Sequence, residues 1–338
     1  ATTMRRAVML QGDLGEAAAI ALVDGPDALA AIDLAVGRPV QPMLASTAAD
    51  VDEAMAAVAG PASVEWKLDG ARVQVHLDDG EVGIYTRNLN DVTERLPQVA
   101  EVVRGLDCTS VVLDGEIMGF LGGDGPAGGA GDETVGQDLG DGGARDRDPT
   151  SPQAFQDTMS AFGTEDGDAA AGLRPSFFDQ LYLDGASLID RPLRDRLAHL
   201  HALAPDHIVP QVFTDDPAVA AAHLDQALAR GHEGVMVKDA ASQYQAGRRG
   251  KSWRKVKPVH TLDLVILAVE WGSGRRRGWL SNLHVGARDA AGGFVMLGKT
   301  FKGLTDEMLE WQTERLLELE THREGHIAVS YTHLTLPT

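Results

Sequence analysis

Lys67 stands one residue ahead of an Asp-Gly pair in the run Glu65-Trp66-Lys67-Leu68-Asp69-Gly70, and the residues that follow alternate in the manner of a strand. A lysine amine attacks a phosphorus centre only when it is neutral, which requires desolvation or neighbouring cations. Alternation along a strand sends Glu65, Lys67 and Asp69 to one face. A second run, Trp253-Arg254-Lys255-Val256-Lys257, sets Lys255 and Lys257 on the face of Trp253. Two cations there would favour a neutral Lys67 and then clamp phosphate oxygens. Glu116 in LDGEIMGF and Glu233 in HEGVMVK are strand carboxylates of the kind that hold a hard divalent cation. Each signal is weak alone: K-x-D-G also arises at the solvated end of an ordinary strand, and a lone strand carboxylate is more often salt-bridged than metal-bound.

The elements that must position these residues are legible in the hydropathy pattern. Leu14 to Val23 and Pro26 to Val36 read as helices, and the prolines of GRPVQPMLA break the pattern into a linker. Val73, Val75 and Leu77 alternate, Asp79-Gly80 marks a turn, and Val82 and Ile84 resume the alternation, which predicts an antiparallel hairpin. Asp91 to Arg104 reads as a helix with an internal Pro97, and Ser110 to Phe120 as a buried strand. The strand PSFFDQLYLDG, helices Arg191 to Leu203 and Pro217 to Arg230, the latter closed by Gly231, and the strands EGVMVK and SWRKVKP follow. After Pro258, LDLVILAVEW, LSNLHVGARD and GGFVMLGKTF predict short strands, with a helix from Asp306 to Leu319, in a small β-rich, barrel-like second domain.

Composition narrows the class. A chain of 338 residues with 43% hydrophobic content can bury one large core or two smaller ones, and the pattern favours two. No apolar run approaches the roughly 20 residues that span a bilayer, and no leader precedes the first periodic segment, so the expectation is a cytoplasmic protein without a membrane. Cys108 alone excludes an internal disulfide and a multi-thiolate zinc site. The net charge of −20 argues against a nucleic-acid partner until its distribution is considered. Gly122 to Asp168 carries eleven acids against Arg145 and Arg147, and within it Gly122 to Pro152 is too poor in large apolar residues to order itself, with order expected to return at AFQDTMSAFG. Positive charge gathers instead in Arg248, Arg249, Lys251, Arg254, Lys255 and Lys257 and in Arg275, Arg276 and Arg277, interleaved with Trp253, Trp271 and Trp279. That pattern suits either a phosphate-facing groove or a solvated basic face.

The order of the segments carries more than any one of them. K-x-D-G, Thr86-Arg87-Asn88, LDGE, FFDQLY, EGVMVK and WRKVKP succeed one another as in the covalent nucleotidyltransferases, which include DNA ligases, RNA ligases and mRNA-capping enzymes. Within that superfamily the chain from Met4 to His326 resembles ATP-dependent DNA ligases of the archaeal and actinobacterial type, through EWKLDGARVQVH, FQDTMSAFG, FFDQLYLDGASLIDRPLRDRL, EGVMVK and GWLSNLHVGARD. The resemblance implies an α+β fold: an adenylation domain of antiparallel sheets and helices, ATP-grasp-like, followed by an incomplete OB-fold barrel. It implies that Lys67 takes AMP from ATP with Mg2+ or Mn2+, passes it to a 5′-phosphate in nicked double-stranded DNA, and seals the nick, acting as a monomer in replication, repair and recombination. It assigns the adenine amino group to Glu65, base stacking to Phe178, ribose and phosphate contacts to Arg72 and Arg87, and ribose and metal to Glu116. Glu233 is the second metal acid, Arg249 and Lys255 are the last nucleotide-binding pair, Lys257 faces the α-phosphate, and Arg275, Arg276 and Arg277 are DNA-binding candidates. RNA ligase or capping chemistry, or a catalytically impaired DNA-binding fragment, are the alternatives.

The resemblance also sets expectations for domain limits. Residues 1–38 read as the last part of a helical DNA-binding domain and linker, 39–258 as the adenylation domain with an acidic insertion at 122–152, and 259–328 as part of the barrel, in a chain truncated at both ends. FQDTMSAFG has Ala161 where the family pattern has an arginine. The final VSYTHLTLPT, Val329 to Thr338, is similar to the in-frame translation of a transposon-end sequencing adapter, so 329–338 is expected to be an assembly artefact.

Overall fold

The computed structural model describes residues 2–58, 60–119, 172–259, 262–289, 292–324 and 327–332. The acidic segment 122–152 and the FQDTMSAFG run with Ala161 lie outside the described residues. The chain divides into two compact units, Ala1–Pro258 and Val259–Thr338.

The first unit opens with three helices, α1 (Thr2–Gln11), α2 (Leu14–Val23) and α3 (Gly25–Ala30). Helix α3 stops six residues before the expected Val36. Asp33 accepts the Leu34 amide at 2.8 Å and Arg6 donates to the Ile32 carbonyl at 2.9 Å, so side chains take the backbone groups that a longer helix would need. Helix α5 (Pro97–Arg104) likewise starts at Pro97 and does not run through it; a short 3-10 turn at Thr93–Arg95 precedes it. Proline's missing N–H costs nothing at a first helical position.

Two five-stranded sheets form the body. One runs β1-β10-β9-β2-β8, from β1 (Leu44–Ala48), β10 (Arg249–Val256), β9 (Val235–Asp239), β2 (Ala62–Trp66) and β8 (Gln211–Thr214). The other runs β4-β3-β5-β6-β7, from β4 (Glu81–Thr86), β3 (Ala71–Asp78), β5 (Ser110–Gly119), β6 (Leu173–Leu183) and β7 (Ala186–Ser187). Pairing is antiparallel throughout, except that β1 joins β10 in parallel across some two hundred residues of chain.

Strand alternation sorts the side chains into layers. Val73, Val75, Val111 and Leu113 face a core closed by α5 and by α6 (Leu193–Leu203). Val64, Trp66, Val235, Val237 and Val256 face a second core under α4 (Val51–Ala56) and α7 (Pro217–Ala229). A third core, with Met43, Val112, Leu181, Tyr244 and Trp253, lies between the sheets. The opposite positions on each strand therefore point into that inter-sheet layer, and the pattern that buries Val64 and Trp66 on one face turns Glu65 to the other.

The second unit is an antiparallel sheet in the order β13-β12-β11-β15-β14. Its strands are β11 (Val265–Trp271), β12 (Leu280–Arg288), β13 (Phe294–Thr300), β14 (His322–Glu324) and β15 (Ile327–Thr332), with α8 (Asp306–Glu318) capped by the Thr305 hydroxyl. Val329 to Thr332, inside the segment expected to be artefactual, belong to β15, which pairs with β11; residues 333–338 lie outside the described residues. Among the described residues no helix is long and apolar enough to cross a membrane.

Candidate active site

A cavity of about 270 Å³ opens in the inter-sheet layer, lined by Glu65, Lys67, Arg72, Arg87, Glu116, Phe178, Lys238, Arg249, Trp253 and Lys255 among others. Eight of these hold a site role on the sequence, and they meet in one place. Glu233 and Lys257 adjoin it through Lys67: the Glu233 carboxylate accepts from the Lys67 ammonium on one oxygen and from the Lys257 ammonium on the other. Those two ammonium groups hold Glu233 below the usual carboxylate range against the opposing pull of burial. Strand β2 ends at Trp66, so alternation does not carry through to Asp69, which does not line the cavity. Lys257 likewise lies past the end of β10, which is why it meets Glu233 while Lys255 faces the cavity.

The K-x-D-G turn depends on its glycine for a steric reason. A methyl group at Gly70 would collide with the Ile117 carbonyl oxygen and lie 2.8 Å from Met118 Cγ, so the turn can press against β5 only when no Cβ is present. This brings Lys67 toward Glu116. Glu116 is cross-strand from Arg72, yet burial outweighs the attraction of Arg72 and Lys67 and pushes its carboxyl up to about 7. A carboxylate this short of positive charge suits an added cation.

At the opposite wall Glu65 is 1% exposed and paired with Lys238 at 2.5 Å, while Ser63 Oγ donates to its other oxygen at 2.9 Å. Burial raises the Glu65 pKa despite Lys238. The Lys238 ammonium also lies 4.4 Å from the Phe178 ring centroid and 4.3 Å from that of Trp253, where the negative ring faces attract it. Phe178 and Trp253 meet edge to face at 6.2 Å. Arg72 was expected to reach ribose and phosphate. It lies over Phe178 at 5.3 Å, but its Nε and Nη2 fork onto Asp114 at 3.0 and 2.7 Å, and Nη1 donates to the Met43 carbonyl at 2.8 Å. Three of the five guanidinium donors are therefore spent inside the protein, leaving two for the cavity.

Sequence reasoning missed Lys238, Asp114 and Tyr244. Lys238 lies within EGVMVK, and the signal was available: it alternates with Met236, opposite the buried Val235 and Val237, so it had to face the same layer as Glu65. Asp114 shares the face of Glu116 two residues on, and a buried acid beside an expected arginine was readable as its partner. Arg275, Arg276 and Arg277 lie in the second unit at the 3-10 turn Gly274–Arg276, where Arg276 donates to the Phe301 carbonyl.

A lysine thus stands beside a cavity walled by aromatic faces, arginines and two carboxylates, in a body of two largely antiparallel sheets. The model for the ATP dependent DNA ligase domain matches residues 42–125 and 144–257. The chain belongs to the ATP-dependent DNA ligase family. It is 52% identical over 322 residues to a probable DNA ligase of Saccharopolyspora erythraea, covering 95% of this chain and 58% of that protein. It is 48% identical over 334 residues to a probable DNA ligase of Rhodococcus jostii, covering 98% of this chain and 61% of that protein. The chain thus spans about three fifths of the length of these curated relatives. Among solved structures, a Lig E DNA ligase matches the fold with a TM-score of 0.51 at 20% identity, over 81% of this chain and 88% of that one.

Proposed function

We propose that this chain catalyses ATP-dependent nucleotidyl transfer through Lys67 and so contributes the chemical steps of nick sealing in duplex DNA. The observation that carries the proposal is the placement of the Lys67 amine, held by Glu233, beside a cavity of about 270 Å³ whose walls offer aromatic rings to a base and cations to phosphates. Phe178 supplies a flat face for adenine, and Glu65, held by Lys238, supplies the acceptor for the adenine amino group. Arg72, Arg87, Arg249 and Lys255 supply positive charge for the triphosphate.

In the first step Lys67 Nζ attacks the α-phosphorus of ATP, forming an N–P bond as the bond to the bridging oxygen breaks and pyrophosphate leaves. The Lys67 ammonium loses one proton to solvent before the attack, and the Glu233 carboxylate, which accepts its hydrogen bond, orients the amine. In the second step the oxygen of a DNA 5′-phosphate displaces the lysine, and in the third the 3′-hydroxyl displaces AMP. A family that uses ATP implies a divalent cation, Mg2+ or Mn2+, and Glu116 and Glu233 would hold it; such an ion neutralises phosphate charge. The raised Glu116 carboxyl fits that role. Among the described residues no group of three or more potential ligands gathers, so the protein's share would be these two carboxylates.

Nicked double-stranded DNA is the partner in this proposal, with Arg275, Arg276 and Arg277 as contacts to its backbone and the chain acting as a cytoplasmic monomer. The test is incubation with radiolabelled ATP and magnesium, followed by peptide mapping. An adenylate is expected on the peptide containing Lys67 and none on Lys67→Ala; label retained by the alanine variant would refute the assignment. Sealing of nicked RNA with GTP in preference to nicked DNA with ATP would instead point to capping-type chemistry.

A further inference from the structure

We propose that Tyr244 is a positioning residue whose hydroxyl completes the clamp that aims Arg72 into the nucleotide cavity, and that this clamp governs the rate of Lys67 adenylation more than the affinity for ATP. The inference rests on the nucleotidyl-transfer reading above and adds to it a residue outside the ordered motif series.

The clamp is a closed ring of hydrogen bonds. Tyr244 Oη donates to Asp114 Oδ2 at 2.8 Å and accepts from the Met43 amide at 3.0 Å. The Met43 carbonyl accepts from Arg72 Nη1 at 2.8 Å, and Arg72 returns to Asp114 through Nε and Nη2. Three distant stretches of chain meet here: residue 43 before β1, residue 114 within β5, and residue 244 between β9 and β10. All three are buried, Met43 at 0%, Asp114 at 1% and Tyr244 at 5% exposure. Burial and the Asp114 carboxylate hold the phenol well above its usual pKa, so it remains a neutral donor.

The ring cannot swing away without wider disruption. Trp253 meets it edge to face at 6.0 Å, and the Arg196 guanidinium lies 6.0 Å from its centroid. Arg196 is itself forked onto Asp179 at 2.7 and 2.9 Å, and the Tyr244 amide donates to the Ile189 carbonyl at 2.9 Å. A phenylalanine would fill the same space. Besides Arg72 itself, it is the hydroxyl that links Asp114 to Met43, and both of its hydrogen-bonding roles are used. Without it, Asp114 Oδ2 keeps only Arg72, and the Met43 amide loses its acceptor.

The kinetic consequence follows from donor accounting. The two guanidinium N–H groups not spent on Asp114 and Met43 have their direction fixed by the three that are. A loosened Arg72 keeps its charge and still attracts a triphosphate, but it no longer holds those donors where charge builds on the transferring phosphate. Tyr244→Phe should therefore slow Lys67 adenylation at least about tenfold while moving the ATP Kd by less than about twofold.

The experiment reads the clamp twice. In ¹⁵N-labelled protein the Arg72 Nε–H signal is followed for exchange with solvent, and Lys67 labelling is timed under single-turnover conditions. Expected outcomes for Tyr244→Phe are exchange at least about tenfold faster, labelling slowed as above, and less than about twofold further slowing when the substitution is added to Asp114→Asn, because both act through one clamp. Unchanged Arg72 protection, an unchanged labelling rate, or full additivity with Asp114→Asn overturns the proposal. The exchange measurement needs no ATP, so faster exchange in a protein whose wild type forms no adenylate would refute the nucleotidyl-transfer reading and leave the clamp standing. If Tyr244→Phe does not fold, Asp114→Asn read through the same resonance takes its place, and unaltered Arg72 protection there is equally fatal.

Discussion

Replacing Lys238 with methionine strips Glu65 of its counterion while keeping most of the side-chain volume. Glu65 and Lys238 are each 1% exposed and 2.5 Å apart, and the Ser63 hydroxyl at 2.9 Å is the other donor to the carboxylate. Breaking a buried pair by removing one partner costs about 3–5 kcal/mol when the remaining charge stays ionised. Glu65 has an escape, which is to take up a proton. Its pKa is already raised above the ordinary 4.5 because burial outweighs Lys238, and loss of Lys238 raises it further. A carboxyl raised in the folded state binds more protons folded than unfolded between the two pKa values, so stability falls as pH rises through that window. The penalty of Lys238→Met relative to wild type should therefore grow from about pH 5.5 to about pH 7.5, by at most about 2.7 kcal/mol at about 1.36 kcal/mol per pH unit. Urea unfolding followed by tryptophan fluorescence at both pH values measures it. Adding Glu65→Gln to Lys238→Met should flatten the pH dependence and recover more than half of the loss at the higher pH. A penalty that is the same at both pH values, or a double variant no more stable there than Lys238→Met, would refute the reasoning.

His76 provides the opposite sign. It is buried, accepts the Gly37 amide at Nδ1 at 2.9 Å, and burial lowers its pKa from 6.5 to about 4, so stability present above pH 6.5 is lost as pH falls toward 4. That loss is worth at most about 3.4 kcal/mol, and His76→Asn should flatten this limb of the stability profile in urea titrations. Gly70→Ala places a methyl group against the Ile117 carbonyl and should cost about 1–3 kcal/mol with a marked loss of Lys67 labelling; Gly105→Ala, whose nearest neighbour would be at 3.4 Å, should be nearly neutral in the same melts. Asp179→Ala leaves the Arg196 guanidinium, 0% exposed, without its carboxylate and should lower stability by about 3–5 kcal/mol in urea unfolding. Replacing Arg275, Arg276 and Arg277 with alanine should weaken nick binding and flatten its dependence on salt, by up to about 0.9 in log–log slope for each phosphate no longer neutralised; an unchanged slope in filter-binding titrations would remove these residues from the DNA interface.

Much of the site was legible because its residues obey local rules. The period-two pattern placed Glu65, Glu116, Lys255 and Trp253 on strands, and the motif order brought them into one cavity. Periodicity failed where side chains took over backbone groups, at Ile32 through the distant Arg6 and at Leu34 through its neighbour Asp33, beyond the early end of α3. It also failed at the Asp91 to Arg104 segment, where Pro97 is compatible with a helix only as its first residue.

The supporting residues were invisible for a different reason. Asp114 is 42 residues from Arg72 and 130 from Tyr244, and Tyr244 is 201 from Met43, so no spacing rule connects them. What joins them is the sheet topology, in which β1 returns to pair in parallel with β10 and carries residue 43 to the segment around 244. A motif marks the side chains that face a substrate, since their chemistry is fixed by what they must touch. The groups that hold those side chains need only a donor or acceptor at the right point in space, and a tyrosine from any crossover can supply it. Arg72 shows both cases in one residue: its type and spacing are readable from K-x-D-G onward, while the direction of its guanidinium is decided by Asp114, Met43 and Tyr244, which only the folded chain brings together.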